Sequence, residues 1–509
     1  PGNQWGYFPS ISGAWVLSEE PFLKDVDWIS QLKLRAALGL AGNNNISDDM
    51  WRLLYTINST GGPGFGETTQ YGEKYYGMSS SAPNKDIKWE STVTRNVAAD
   101  ISLFNGRVTI TPEFYWNTTR DLLYATGLNP TVGFSTQMQN IGQVTNKGIE
   151  FSISGDILQG KDYVLSGNIN FGWNRKVVDK LDGGEKFKPY EGSVRWQTAN
   201  MYDYYLKVGD EVGLIYGFVY DGLYGFDEFY FDPLNNYQAM PWGSAAADNG
   251  TSKNQAPRED GYITVINDVS GTSNSGIATL PGKIKFKDLD GDGRITENDR
   301  TIIGNTNPKI QGGFGLNGQW KNLDFNANFV YMIDFDINNA TAYTLSASQG
   351  NKQKFYNVLS RFKDGWQYND IDGSITGTKG DILYKMYYSA DKNAVDIYKE
   401  ANEGRTLWNP ADVGTRICNS YFIEDGSFLR CNDITIGYTL PKTLTKKWGI
   451  SKARFYVSTS NLFIITSYSG YDPEVDIQTG LACGIDYNRY PRNRMFAFVG
   501  IGGNAEAQT

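Results

Sequence analysis

From Val97 to Trp116 apolar and polar residues alternate on either side of Asn105-Gly106. Asn-Gly is the strongest short signal for a two-residue hairpin turn, because both central positions accept positive φ. Pairing Phe104 with Arg107 sets Leu103 opposite Val108, Ile101 opposite Ile110, Ala99 opposite Pro112 and Val97 opposite Phe114, all apolar. On the other face Ser102 meets Thr109, Asp100 meets Thr111, Ala98 meets Glu113 and Asn96 meets Tyr115. The register therefore predicts a sheet with one greasy and one wet side. Pro112 lacks a ladder donor, which predicts a bulge or a broken hydrogen bond there.

This pattern fits a soluble sandwich or a membrane barrel, and strand length separates the two. Each arm runs about ten residues; soluble strands have a mode of about 5–6, whereas a tilted strand needs about 9–11 to cross a bilayer. Tyr163 to Trp173 repeats the pattern, with Tyr163, Leu165, Gly167, Ile169, Phe171 and Trp173 on one face and Ser166, Asn168, Asn170 and Gly172 on the other. Aromatic ends on an apolar stripe suit the two interfaces of a bilayer, and small polar residues suit a wet lumen. The expected fold class is all-β, a large antiparallel transmembrane β-barrel.

Further strands are read at Phe8–Ser18, Leu32–Leu40, Asn140–Ile153, Ile310–Trp320, Leu323–Tyr331, Tyr421–Tyr438, Arg454–Leu462 and Arg494–Ile501. About fourteen strand candidates result, each with uncertain ends. Lys33 and Arg35 lie on the polar side of theirs and are expected in the lumen, since on the lipid side each would cost about 2–4 kcal/mol at mid-depth. Glycines recurring among aromatics from Val208 to Tyr224 suggest close backbone packing or bends. Two long polar stretches, residues 222–300 and 336–416, read as outer loops, because the opposite turns of such barrels are short.

Composition narrows the function. The 509 residues include 57 Gly, 33 Tyr and 26 Phe, which suits long antiparallel sheets. With 47 Lys plus Arg against 56 Asp plus Glu the net charge is −9, and no basic block stands out, so nucleic acid is not an expected partner. No run of eighteen apolar residues makes a transmembrane helix. Histidine is absent, which removes Ser/His/Asp and Cys/His catalysis and His-ligated zinc. Cys418, Cys431 and Cys483 lack CxxC spacing; isolated buried thiols are favoured over a Cys418–Cys431 disulfide.

One motif carries ligand chemistry. Asp288, Asp290, Asp292 and Asp299 occupy positions 1, 3, 5 and 12 of a twelve-residue loop with Gly293 at position 6, and the Arg294 carbonyl stands at position 7. Calcium takes 6–8 oxygens, and alternate residues of a tight turn deliver them to one centre. Asp299 is shorter than the usual Glu, which predicts weaker ligation. The alternative is an Asp/Gly turn held by its own side-chain bonds. A saturated oxygen cage leaves no open position, so the expected ion is structural Ca²⁺. Trp196, Trp242, Trp366 and Trp408 lie in the loops and are the candidate substrate-stacking residues, although loop aromatics commonly pack their own loop. The acidic pairs Asp227-Glu228 and Glu259-Asp260 have the residue types of a glycosidase. Solvated acidic loops are far commoner, and no enzyme activity is expected.

Six phrases together resemble one family: WGYFPSISGAW with SEEPF (Trp5 to Phe22), LKLRAALGLAGN (Leu32 to Asn43), NIGQVTNKGIE (Asn140 to Glu150), the calcium-like loop with IIGNTNPKIQGGF (Ile302 to Phe314), IEDGSFLRCNDITIGYTLP (Ile423 to Pro441) and NLFIITSYSGYDPEV (Asn461 to Val475). In this order they resemble the SusC/RagA-type TonB-dependent transporters of the Bacteroidetes outer membrane. The resemblance implies a barrel of about twenty-two strands, import of oligosaccharides or peptides, a SusD-like surface lipoprotein as lid, and TonB as the energy-coupling partner. The family's plug, TonB box and first barrel strands have no counterpart in residues 1–509, which are therefore expected to be the C-terminal part of the barrel. A siderophore or cobalamin receptor is the second transport reading, and a glycan-binding surface adhesin without a transport cycle is the third.

Overall fold

The structure is a computed structural model that describes residues 5–44, 49–58, 75–181, 187–190, 203–231, 239–243, 257–267, 279–342, 365–366, 369–370, 380–381, 392–408, 418–474, 483–487 and 490–504. Eleven strands follow one another through a single antiparallel wall: β1 (Ser10–Val16), β2 (Ile29–Asn43), β3 (Glu90–Leu103), β4 (Val108–Gly127), β5 (Thr136–Gln159), β6 (Tyr163–Lys180), β7 (Ile310–Trp320), β8 (Leu323–Ile333), β9 (Phe428–Thr439), β10 (Ile450–Thr466) and β11 (Met495–Asn504). Several reach well past the soluble mode, β5 to 24 residues.

The Asn105-Gly106 hairpin has the register its turn dictates. Both residues have positive φ, 57° and 84°, and the Arg107 N–H donates to the Phe104 carbonyl at 3.3 Å. Leu103 pairs with Val108, Ile101 with Ile110 and Val97 with Phe114. The β3–β4 ladder is interrupted between Ala98–Glu113 and Ile101–Ile110, the place where Pro112 removes a donor, and resumes without a shift. Eleven strands lie along the wall against about fourteen expected, and among the described residues Tyr204–Lys207, Leu214–Phe218 and Arg300–Asn305 form strands of a separate sheet.

One face of the wall is apolar and bare. Val97, in mid-strand, is 57% exposed. Near the short connections, pairing links Tyr163 to Trp320, Trp320 to Leu323, Leu323 to Tyr438 and Tyr438 to Phe455, an aromatic-rich row across five strands. Ten residues farther along β6 a second row joins Val97, Phe114, Ile149 and Trp173. At about 3.3 Å per residue and a tilt of 35–45° the rows stand about 25 Å apart, the height of the apolar band of an outer-membrane barrel.

The opposite face is wet. Arg35 bonds Asp100 at 2.9 Å and stands 3.9 Å from Glu113, so the cation in the Leu32–Leu40 pattern faces the lumen as its position requires. Farther round, Asn328 bonds Asp433 at 3.0 Å and Arg454 bonds Asp324.

The connections divide by end. At one end they are short: residues 17–28, hairpin turns at 104–107, 160–162 and 321–322, and a helical turn at Lys442–Trp448. At the other are the eight residues 128–135 and four longer connections, from Asn43 to Glu90, Lys180 to Ile310, Ile333 to Phe428 and Thr466 to Met495. The last three pack together. Tyr204 and Ile215 from the first, Ala340, Ala342, Trp408, Cys418 and Phe422 from the second, and Ile485 from the third form one buried cluster. A small sheet repeats the union, with Asp336–Asn339 between Ile423–Asp425 and Ile485–Asp486. Gly217 shows why the glycines recur here: a Cβ on it would stand 2.4 Å from the Cys418 carbonyl oxygen.

Candidate functional site

The Asp/Gly loop grows out of this cap. Ile284–Phe286 leads into it, and Arg294–Ile295 leads out, paired in parallel with Ile266–Asn267. Ile295 is buried with Phe218, Ile284 and Phe286, and the rings of Phe218 and Phe286 stack 5.1 Å apart. Arg300, just beyond, lies 4.6 Å over the Tyr216 ring and bonds Glu297 at 3.1 Å. The loop thus leaves and re-enters a rigid base.

Within it Asp288, Asp290 and Asp292 bring carboxylate oxygens within 4.8 Å of one another. Each also accepts backbone amides: Asp288 from Gly291 (2.7 Å) and Gly293 (2.8 Å), Asp290 from Asp292 (3.2 Å) and Asp292 from Arg294 (2.8 Å). Gly291 and Gly293 take φ of 77° and 82°, which allow the chain to wrap round the Asp288 carboxylate. The Asp292 amide stabilises ionised Asp290, yet partial desolvation and the charges of Asp292, Asp299 and Asp288 together hold its carboxyl above the ordinary aspartate value. Three anions are crowded where a cation would relieve them.

Asp299 differs from its predicted position in that set. It is buried, its Oδ1 accepts from Leu289 (2.8 Å), its Oδ2 accepts from Thr296 (2.7 Å), and it completes a capping box with Thr296. Its carboxylate closes the loop, and the oxygens that converge within 4.8 Å are those of Asp288, Asp290 and Asp292. Arg294 contributes an N–H to Asp292, and its own side chain is exposed.

The tryptophans separate. Trp366 is 6% exposed, packs 5.0 Å from Phe226 and 5.9 Å from Tyr398, and donates its indole N–H to the Arg405 carbonyl at 3.1 Å. Gly282 approaches its ring so closely that a Cβ would sit 2.2 Å away. Trp408 is 0% exposed, 4.5 Å from Tyr421 and inside the shared cluster. Both are therefore removed from substrate contact, because the cap uses them as core. Trp242 is half-buried with its ring 5.2 Å from that of Tyr230, also half-buried. Trp196 lies outside the described residues.

One carboxylate of each acidic pair is held by a cation. Glu228 is buried and bonds Lys285 at 2.7 Å and the Tyr262 hydroxyl. Asp260 is gripped by Arg258 at 2.6 Å, and that hydrogen bond, with the Tyr262 amide, pulls its carboxyl down to about 2. A carboxyl held that low does not suit Asp260 to donate a proton near neutral pH. Cys418 and Cys431 are free buried thiols, and burial pushes the Cys418 thiol well up.

Sequence reasoning missed a buried ionic centre. Arg430 of β9 donates hydrogen bonds to Asn461 of β10 and to Asp472 of the following connection and forms an ion pair with Glu474, from which Arg492 stands 3.3 Å. Two of the family-like phrases, SFLRCN and YDPEV, meet at this point; strict alternation puts Arg430 with Ile434 and Ile436, and the register shift between Cys431 and Asp433 turns it to the polar face.

Known proteins agree with this architecture. A family described as "TonB dependent receptor-like, beta-barrel" matches residues 3–275. TonB-dependent receptor SusC of Bacteroides thetaiotaomicron is 31% identical over 502 residues, 97% of this chain and 40% of the relative. TonB-dependent receptor P3 of Formosa agariphila is 28% identical over 97% of this chain and 41% of its own length. The solved structure of the RagAB peptide transporter superposes with a TM-score of 0.64 at 22% identity, covering 99% of this chain and 44% of that one. The chain thus spans about two fifths of the length of the curated relatives it matches.

Proposed function

The chain belongs to the TonB-dependent receptor-like β-barrel family of the outer membrane, and from that premise we propose that it supplies barrel wall and outer cap to an importer of oligosaccharides or peptides. The observation that carries this reading is the contrast between the two ends of the wall: hairpin turns at one, and at the other three long connections sharing a core. Turns on the periplasmic side and long loops outside are the ordinary polarity of such barrels. The cap therefore faces the medium, where cargo is met. The names SusC and RagAB peptide transporter support nutrient uptake and leave both cargo classes open.

In the whole protein a SusD-like lipoprotein covers the cap, and TonB drives release of cargo into the lumen. Trp242 and its neighbour Tyr230 present a partly exposed aromatic face to sugar rings or peptide side chains. Asp288, Asp290 and Asp292 hold a structural calcium ion that stiffens this part of the cap; their converging oxygens and the raised Asp290 carboxyl support it. Asp299 shapes the loop around the ion.

The test is to purify the full-length protein from native membranes in mild detergent and identify every polypeptide that travels with it. A surface lipoprotein in stoichiometric amount, together with loss of oligosaccharide or peptide uptake when the gene is deleted, is the expected result. A barrel that purifies alone with uptake intact would overturn the reading.

A further inference from the structure

The apolar face of the wall changes character one row beyond its outer aromatics. There Trp116 pairs with Lys147 and Lys147 with Arg175, while the Arg95 guanidinium lies 5.0 Å from the Trp116 ring centre. Leu38 borders Arg95 on the other side. These residues share the face of Val97, Phe114, Ile149 and Trp173, since each stands two positions along its strand from one of them. They face lipid, at the end of the wall that carries the long connections. A second row farther out adds Arg120, exposed and paired with Gln143.

We propose that this row is a binding surface for the phosphate groups of an outer-leaflet lipid. Three arguments converge. The cations sit just outside the apolar band, where an aromatic belt gives way to headgroups, and so meet phosphate without entering hydrocarbon. Their charge is incompletely balanced: the four cations Arg95, Lys147, Arg175 and Arg120 face two carboxylates, Glu211, which bonds Arg175 at 2.7 Å, and Asp179, which accepts from Thr145 and Gln143. Finally, the surface is partly pre-formed. Arg95 donates to the Trp116 carbonyl at 3.2 Å and to Thr118 at 3.4 Å, so little rotamer freedom is left to lose on binding. Its remaining donors and the flexible Lys147 ammonium then grip the phosphates, while Leu38 and Trp116 lie against the first carbons of the acyl chains.

The inference rests on the outer-membrane reading, and its test keeps the two apart. Full-length protein in detergent is titrated with diphosphorylated lipid A, with the same lipid after phosphatase treatment, and with inorganic phosphate, and bound lipid is counted by native mass spectrometry. Wild-type protein is expected to bind the diphosphorylated lipid about 25-fold more tightly than Arg95→Gln/Lys147→Gln does, at roughly fivefold per charge. The charge-conserving Arg95→Lys/Lys147→Arg protein is expected to bind like wild type, and the phosphatase-treated lipid to bind wild type as weakly as it binds the Gln pair. Equal binding of all three proteins, or equal occupancy by inorganic phosphate, overturns the proposal. Urea-resistant recovery in the outer-membrane fraction is scored for each variant; its failure in wild type would count against the membrane reading instead.

Discussion

Arg430 and Asp472, forty-two residues apart, meet inside the fold with 1% and 4% of their side chains exposed. Removing one partner of a buried pair strands the other charge, which costs more than the pair contributes. Asp472→Ala is expected to destabilise the β9–β10 region by about 3 kcal/mol, the lower end of the usual range because Glu474 still faces the guanidinium. Thermal unfolding of the detergent-solubilised protein and cleavage of residues 467–494 by added protease would show it. Unchanged resistance would demote the contact to an incidental one.

The assignment of faces can be tested within one hairpin. Ile110 points to lipid near mid-depth, and Thr109 points to the lumen. Ile110→Arg is expected to cost about 2–4 kcal/mol of barrel stability, and Thr109→Arg well under half of that, in urea titrations of the full-length protein folded into vesicles. The reverse order would exchange the two faces.

The acidic loop makes a metal-dependent prediction. Protease resistance of residues 279–300 in the intact protein is expected to fall on chelation and to return with added calcium. Asp290→Ala with Asp292→Ala is expected to make the loop sensitive in either condition. If chelator leaves wild-type cleavage unchanged, the loop is held by its own amide bonds alone.

Asp486 supplies a pH dependence. Burial holds its carboxyl above the ordinary value despite hydrogen bonds from Tyr468 and Thr341. An acid whose folded pKa is raised favours the folded state most when protonated. Its contribution is present in full below the ordinary value near 3.8 and is lost as pH rises through the raised one. Amide-exchange protection at Asn338 and Ile485, corrected for intrinsic rate, should therefore increase as pH is lowered through the raised pKa toward 3.8. Asp486→Asn should flatten that dependence, and a wild-type profile already flat would remove Asp486 as its source.

The wall was legible because its information is local. Period-two alternation with a turn that fixes register gave the Val97–Phe114 pairing directly, and the strand Ile310–Trp320 has the bounds its pattern showed. Arg35 could be placed because a cation has only one tolerable side. The cap was not legible in the same way. Trp408 reads as a loop aromatic until Ile485 and Tyr204, remote in sequence, close over its neighbourhood. Asp299 reads as a ligand by spacing, and its bonds to the amides of Leu289 and Thr296 become visible only once the loop is closed. Arg430 reads as misplaced until the following connection folds back with two carboxylates.

The shared core of the three long connections also governs how this surface can diverge. If each connection stood alone, one could be replaced by a segment from a relative while the others kept their shape. Here the Tyr204–Ile215 piece, the Ala340–Phe422 piece and Ile485 fit one another. A graft of any one brings a foreign side into a close-packed interior. Divergence of this surface is therefore expected at positions outside that core, or through exchange of all three segments as a set.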